Sequence, residues 1–206
     1  EKLEENLNSK QTFKNIDGIL IPGGFGDRGI EGKILSSQYA RENSVPFFGI
    51  CLGLQCAIID IARNCCNLKN ANSSEFNSKT KFPVVDLMPG QKNVKHKGAS
   101  MRLGSYSCKL KSKTKVKLLY NKNTIHERHR HRYEVNNKYI NTLEKNGLII
   151  SGKNTKLNLV EIIEYKNHPW FIASQFHPEL KSRILKTHPL FSGFIESAIK
   201  YNNGKS

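Results

Sequence analysis

No apolar run in this chain is long enough to cross a bilayer, which excludes a transmembrane helix. The opening residues, Glu1-Lys2-Leu3-Glu4-Glu5, lack the basic-then-apolar pattern of a signal peptide. No two cysteines stand in C-x-x-C spacing, so the usual zinc frameworks are excluded and no metal site is expected. The five cysteines are odd in number and Cys65 and Cys66 are adjacent, so reduced thiols in a cytoplasmic protein are expected. Acidic residues are scarce, 17 against 33 Lys and Arg, giving a net charge of +16 and a pI near 9.7. Such a balance would suit nucleic acid or a polyanionic nucleotide. The lysines are scattered, however, and no nucleic-acid module is recognisable, so a solvated Lys/Asn surface is expected, with neither nucleic acid nor membrane as partner. Apolar residues are also few, at 37% of the chain, with a mean hydropathy of −0.52. Even so, 206 residues suffice for one domain with a real core.

What is present centres on Gly49-Ile50-Cys51-Leu52-Gly53-Leu54-Gln55. An apolar run over 45–50 precedes it and reads as a buried strand. After it, Leu54, Ile58, Ile61 and Cys65 fall on one helical face. Cys51 thus sits at a strand-to-helix turn as G-x-C-x-G, the thiol counterpart of the G-x-S-x-G nucleophile elbow. Glycine on both sides relieves crowding in so sharp a turn. The helix N-terminus should lower the thiol's pKa, and the Leu52 N–H can face an oxyanion. A small cysteine buried between two packing glycines is the bland reading of the same motif.

The remaining pattern suggests α/β architecture. Residues 1–15 read as a helix end and a polar loop, and 16–21 as a strand. The loop Pro22-Gly23-Gly24-Phe25-Gly26-Asp27-Arg28-Gly29 lies at that strand's C-terminal end, where open sheets bind ligands. A helix is predicted over 30–43, and strands over 45–50 and 83–88 with a polar loop, 72–76, before the latter. The stretch 89–97 reads as a loop. Extended segments follow over 100–110, 115–120, 127–135 and 148–151, then a hairpin of 159–165 and 170–176, then a helix over 190–201. The first half alternates strand and helix, as parallel sheets do; the second is rich in strands.

A thiol nucleophile needs a base. His177 follows the apolar strand Trp170–Phe176 and precedes Pro178-Glu179. In an extended segment Glu179 would share a side with His177, fix its tautomer and leave the other nitrogen for Cys51. With that dyad the chain resembles the class I glutamine amidotransferases. The resemblance narrows to the glutaminase domains of CTP synthases through Gly23-Gly24-Phe25-Gly26-Asp27-Arg28-Gly29, Ala71-Asn72-Ser73-Ser74-Glu75-Phe76, Met101-Arg102-Leu103-Gly104, His168-Pro169-Trp170-Phe171 and, most specifically, Glu127-Arg128-His129-Arg130-His131-Arg132-Tyr133-Glu134-Val135. Alone, that last alternation would suggest a metal or phosphate site, although the guanidinium charges repel a cation. Leu54 and Leu180 stand where the family often has Met and Phe, and Gly98-Ala99-Ser100 replaces a usual Gly-Gly-Thr.

The resemblance covers 16–201 of a domain spanning 1–206. It implies a flavodoxin-like, mostly parallel sheet with flanking helices and a strand-rich second half, its opening strands missing from this chain. It also implies roles: Cys51 as nucleophile, His177 as base and acid, Glu179 as its orienter, and Gly24, Leu52, Gly53, Leu54, Gln55, Glu75 and Arg132 as the L-glutamine site. Gly24 and Leu52 would supply oxyanion N–H groups, Glu75 would meet the α-ammonium and Arg132 the α-carboxylate. No cofactor is implied within this domain. ATP and Mg are used with UTP by a synthetase domain outside the chain. GTP is implied as allosteric activator, and a homotetramer as the assembled form. A glutaminase serving another synthetase, a free-standing γ-glutamyl hydrolase and a catalytically silent module are the alternatives.

Overall fold

The computed structural model describes residues 12–87 and 101–204. The expected loop at 89–97 and most of the expected helix end at 1–15 therefore lie outside the described residues. The motif-bearing half runs β1 (Ile19–Ile21), α1 (Ile30–Glu42), β2 (Phe47–Ile50) and α2 (Leu52–Asn64). Two short strands follow, β3 (Asn72–Ser73) and β4 (Pro83–Leu87). The second half is β5 (Arg102–Leu110), α3 (Lys115–Tyr120), β6 (Thr124–His131), β7 (Tyr133–Val135), α4 (Ile140–Lys145), β8 (Leu148–Asn154), β9 (Leu159–Tyr165), β10 (Phe171–Ser174) and α5 (Pro189–Asn203).

A seven-stranded sheet has the order β1-β2-β10-β9-β8-β5-β6, and a three-stranded sheet the order β3-β4-β7. Strand β2 is apolar and buried throughout because both its faces are covered. Phe47 belongs to the core beneath α1 and α2, with Leu54, Ile58 and Phe171. Its neighbour Phe48 points the other way, among Phe176, Leu190, Phe194 and Trp170 beside α5. Helices therefore flank both faces.

The α/β class matches the expectation, with one correction to the sheet. Within the large sheet, parallel pairing among the described residues is confined to β1-β2-β10, while β10-β9, β9-β8, β8-β5 and β5-β6 are antiparallel. The sheet is mixed rather than mostly parallel. Short turns join β8 to β9 and β9 to β10, and only an antiparallel neighbour can be reached through so short a link.

Three local readings also change. Residues 115–120 form helix α3, not a strand: the Thr114 hydroxyl accepts the Lys117 N–H, and the Glu164 carboxylate accepts the N–H groups of Lys115 and Val116 at 3.1 and 3.0 Å. A capping hydroxyl and an anion at the same N-terminus outweigh the alternating pattern. The segment 127–135 is not one strand. It leaves the large sheet after His131 and joins the small one at Tyr133, which places Arg132 at the crossing. Finally, Asn72–Ser73, read as loop, pairs with β4, and α4 was not foreseen.

Candidate active site

Cys51 sits between β2 and α2 with φ 50° and ψ −97°, a conformation costly for a residue with a side chain. Its surroundings hold it there. The Cys51 N–H donates to the Ser174 carbonyl at 2.7 Å, and its own carbonyl accepts the N–H groups of Leu54 and Gln55. A Cβ at Gly49 would come within 2.7 Å of the Gly53 carbonyl, and one at Gly53 would run into the Ile21 carbonyl oxygen. Both glycines of the G-x-C-x-G motif are thus required by backbone approach.

The imidazole of His177 lies over the glycine loop. A Cβ at Gly23 would stand 2.7 Å from His177 Cε1 and 3.7 Å from the Cys51 Cβ, so this one glycine keeps both groups close. His177 Nδ1 meets Glu179 Oε1 at 2.6 Å. With Nδ1–H donated to the carboxylate, Nε2 carries the lone pair, and it is buried without a hydrogen-bond partner among the described residues. The pairing does not arise from an extended segment. Strand β10 ends at Ser174, and Pro178–Leu180 is a 3₁₀ turn that brings Glu179 back beneath the ring.

A cleft of about 400 Å³ opens beside the sulfur, lined by Gly24, Phe25, Cys51, Gln55, Glu75, Met101, His131, Arg132 and Tyr133. Gly24, Gln55, Glu75 and Arg132, expected from the resemblance, all lie on it. Leu52, Gly53 and Leu54 line no part of it. The Leu54 side chain is fully buried in the core and Gly53 is pressed on β1, because the first turn of α2 packs against the sheet. The backbone N–H of Leu52 favours the charged form of the Cys51 sulfur. Gln55 donates its side-chain amide to the Tyr133 carbonyl at 3.3 Å.

The electrostatics correct one expectation. The Cys51 thiol is pushed up to about 12, not lowered. Burial is the main cause; the Leu52 N–H opposes it, and the carboxylates of Glu134, Glu179 and Glu75 add to it. The resting sulfur is therefore a thiol, and it becomes a thiolate only as its proton leaves. Burial raises the Glu75 carboxyl, while the charge of Arg132 and the Gly26 N–H act against that. For Glu179 burial acts upward, but the hydrogen bond from His177 prevails and holds the carboxyl below its ordinary value.

Sequence reasoning missed a buried network behind the cleft. Along β6 exposure alternates strictly, with Glu127, His129 and His131 inward and His126, Arg128 and Arg130 outward. Inside, Arg102 pairs with Glu134 at 3.2 Å and with Glu161 at 2.5 Å. His129 Nδ1 meets His131 Nε2 at 2.8 Å, and His129 Nε2 lies 3.4 Å from Glu161. The period-two pattern in 124–131 was the available signal, but it could not identify Arg102, Glu134 and Glu161 as partners.

This network has a consequence for stability. Burial, against the pull of Arg102, pushes Glu134 up to about 8 and Glu161 up to about 7. Burial and the Arg102 charge push His131 down to about 3, and His129 down as well. The stability linked to the imidazoles is complete above their ordinary 6.5 and is lost only as the pH falls. The stability linked to the raised carboxyls is complete below 4.5 and is lost as the pH rises through 7 and 8. Between pH 6.5 and 8, within this network, only the carboxyl contribution changes, so the network's share of the Tm of the intact protein should fall. Glu134→Gln should flatten that slope. A pH series of thermal melts checks both, and a wild-type slope retained in the variant would contradict the assignment.

Comparison with known proteins agrees with this geometry. Residues 1–197 match the model of the family described as glutamine amidotransferase class-I. The CTP synthase of Chlorobaculum tepidum is 60% identical over 194 residues, covering 94% of this chain and 34% of its own length. That of Caldanaerobacter subterraneus subsp. tengcongensis is 54% identical over 206 residues, with 98% and 38% covered. The chain thus spans about a third of the length of the curated relatives it matches. Among solved structures, the Trypanosoma brucei CTPS glutaminase domain with bound acivicin superposes with a TM-score of 0.90 at 37% identity, covering 97% of this chain and 78% of that one. Matched along nearly the whole chain by the family model and by these relatives, the chain belongs to the class I glutamine amidotransferases, as a glutaminase domain of the CTP synthase type.

Proposed function

We propose that this chain hydrolyses L-glutamine through a γ-glutamyl thioester on Cys51 and supplies ammonia to a synthetase portion that aminates UTP to CTP. The observation that carries the reading is that the Cys51 elbow shares one cleft with the oppositely charged Glu75 and Arg132, while the imidazole of the His177–Glu179 dyad is packed with Cys51 against Gly23. His177 Nε2 takes the thiol proton while Sγ attacks the carboxamide carbon. The oxyanion forms toward the backbone N–H groups of Gly24 and Leu52. His177 returns its proton to the leaving nitrogen, ammonia departs, and water activated by the same imidazole cleaves the thioester. Glu179 keeps the imidazolium balanced throughout. ATP, Mg and UTP belong to the synthetase portion. GTP as activator, a homotetramer and a cytoplasmic location complete the proposal.

Substrate recognition gives its test. Arg132 lies at the crossing between the sheets and on the cleft, whereas Arg130 points outward near Phe25, its guanidinium 5.9 Å from the ring centroid. A charge-assisted pair partly shielded from water contributes roughly 1.5–3 kcal/mol. Arg132→Ala should then raise the glutamine KM about ten- to a hundredfold and leave ammonium-dependent synthesis intact. Arg130→Ala should leave the glutamine KM near wild type. Parallel glutamine titrations of the two variants in the intact protein check this, and equal KM values would remove Arg132 from the site.

A further inference from the structure

We infer that Gln175 is a further catalytic residue, whose side-chain amide N–H holds the Cys51 sulfur as the thiolate forms; the inference rests on the glutaminase reading. Gln175 lies two residues before His177 and is wholly buried. Its backbone is fixed from two sides. Its own N–H donates to the Glu161 carbonyl at 2.8 Å, and the preceding residue's carbonyl accepts the Cys51 N–H at 2.7 Å. From this position Nε2 reaches Cys51 Sγ at 3.7 Å, a hydrogen-bond distance for sulfur. Its Oε1 is buried with no partner among the described residues.

A buried amide with one end unsatisfied weakens a fold relative to an apolar side chain of the same shape. Packing therefore gives no reason for glutamine here, whereas chemistry does. A thiol sulfur is a weak acceptor, but a thiolate receives a charge-assisted hydrogen bond of roughly twice the strength. The Gln175 contact thus strengthens as the Cys51 proton passes to His177, and an interaction stronger in the reacting state than in the resting one speeds the step. Other donors to the sulfur are few. The Leu52 N–H also favours the charged sulfur, but that group is wanted by the oxyanion once attack begins. Gln175 then remains on the sulfur, both amide protons staying on nitrogen while the thiol proton goes to His177 Nε2. No bond forms to Gln175.

Gln175→Met keeps side-chain length and removes the donor; Gln175→Leu removes it with a shorter apolar side chain. In the intact protein, iodoacetamide alkylation of Cys51, located by peptide mass mapping, is followed against pH. Both variants should alkylate about tenfold more slowly across the neutral and mildly alkaline range, the factor equivalent to a thiol raised by about one unit. The glutamine kcat should fall by a similar factor with KM unchanged, and the Tm of Gln175→Met should not fall below wild type. A merely structural residue would lower Tm and leave the alkylation profile in place. If folded Gln175→Met shows the wild-type profile, the inference is overturned; should that variant not fold, Gln175→Leu decides in the same way. The two readings separate cleanly. Wild-type glutamine hydrolysis with an unshifted variant profile overturns only the role of Gln175. A Cys51 thiol that alkylates in a Gln175-dependent way, in a protein that does not hydrolyse glutamine, overturns the glutaminase reading and leaves the contact standing.

Discussion

Cys51→Ala is expected to abolish glutamine-dependent CTP formation while ammonium-dependent formation continues at the wild-type rate. The substitution removes one sulfur atom from a residue that is 3% exposed and keeps the Cβ on which the elbow geometry depends. The positive φ persists, the two flanking glycines are untouched, and the backbone hydrogen bond to Ser174 remains. Among the described residues no other thiol lines the cleft: the other buried cysteines, Cys56 and Cys108, lie in α2 and β5. Loss of the nucleophile in a triad removes about 10⁴-fold or more of the rate. Under the proposed function the synthetase chemistry lies in a part of the protein outside this chain and needs only ammonia. The comparison requires both assays on one preparation of the intact protein with its fold verified. If a folded Cys51→Ala protein loses both activities, Cys51 is a structural residue.

Glu179→Gln should lower glutaminase kcat by about 10²-fold and leave the glutamine KM nearly unchanged. The amide can still meet His177 Nδ1, but it can present its own N–H there and favour the wrong tautomer, and it cannot balance the imidazolium. A fully buried orienting carboxylate has a larger effect, about 10⁴-fold; the Glu179 side chain is 46% exposed, so water supplies part of what is lost. The pH dependence follows from the lowered carboxyl. Its hydrogen bond from His177 keeps the folded value below the ordinary 4.5, so its stabilising contribution is complete above that value and disappears only as the pH falls through the folded one. From neutral pH upward Glu179 stays ionised, and any pH dependence of kcat there must come from other groups. Steady-state kinetics on the intact protein measure the effect. An unchanged kcat would leave His177 without its proposed partner.

The parts of the site that could be read from the sequence are those whose requirements are local. A sharp strand-to-helix turn forces glycines at positions 49 and 53, so the elbow announces itself in five residues. His177 and Glu179 are sequence neighbours, and their pairing was expected, although a turn begun by Pro178 and not an extended segment brings them together. Features that depend on distant elements were not legible. The position of Arg132 follows from a change of sheet between His131 and Tyr133, which a continuous β-pattern conceals. Helix α3 depends on Glu164, a carboxylate supplied from β9. Gln175 reads as one more residue at a strand end until β10 is laid beside the elbow. The direction of the Cys51 shift comes chiefly from the depth of burial, with carboxylates from three other segments adding to it, none of which a helix N-terminus reveals. Leu54 was assigned to the cleft by likeness of motif, yet helix packing turns its side chain into the core.

The central claim is that Cys51 attacks a glutamine-shaped electrophile held in this cleft. Its most direct test is to treat the intact protein with a glutamine-analogue diazo-ketone, digest it and map the adduct by mass. The account predicts label on Cys51 and on none of Cys56, Cys65, Cys66 and Cys108, with excess glutamine suppressing it. Label on another of these thiols, with Cys51 unmodified, would contradict it.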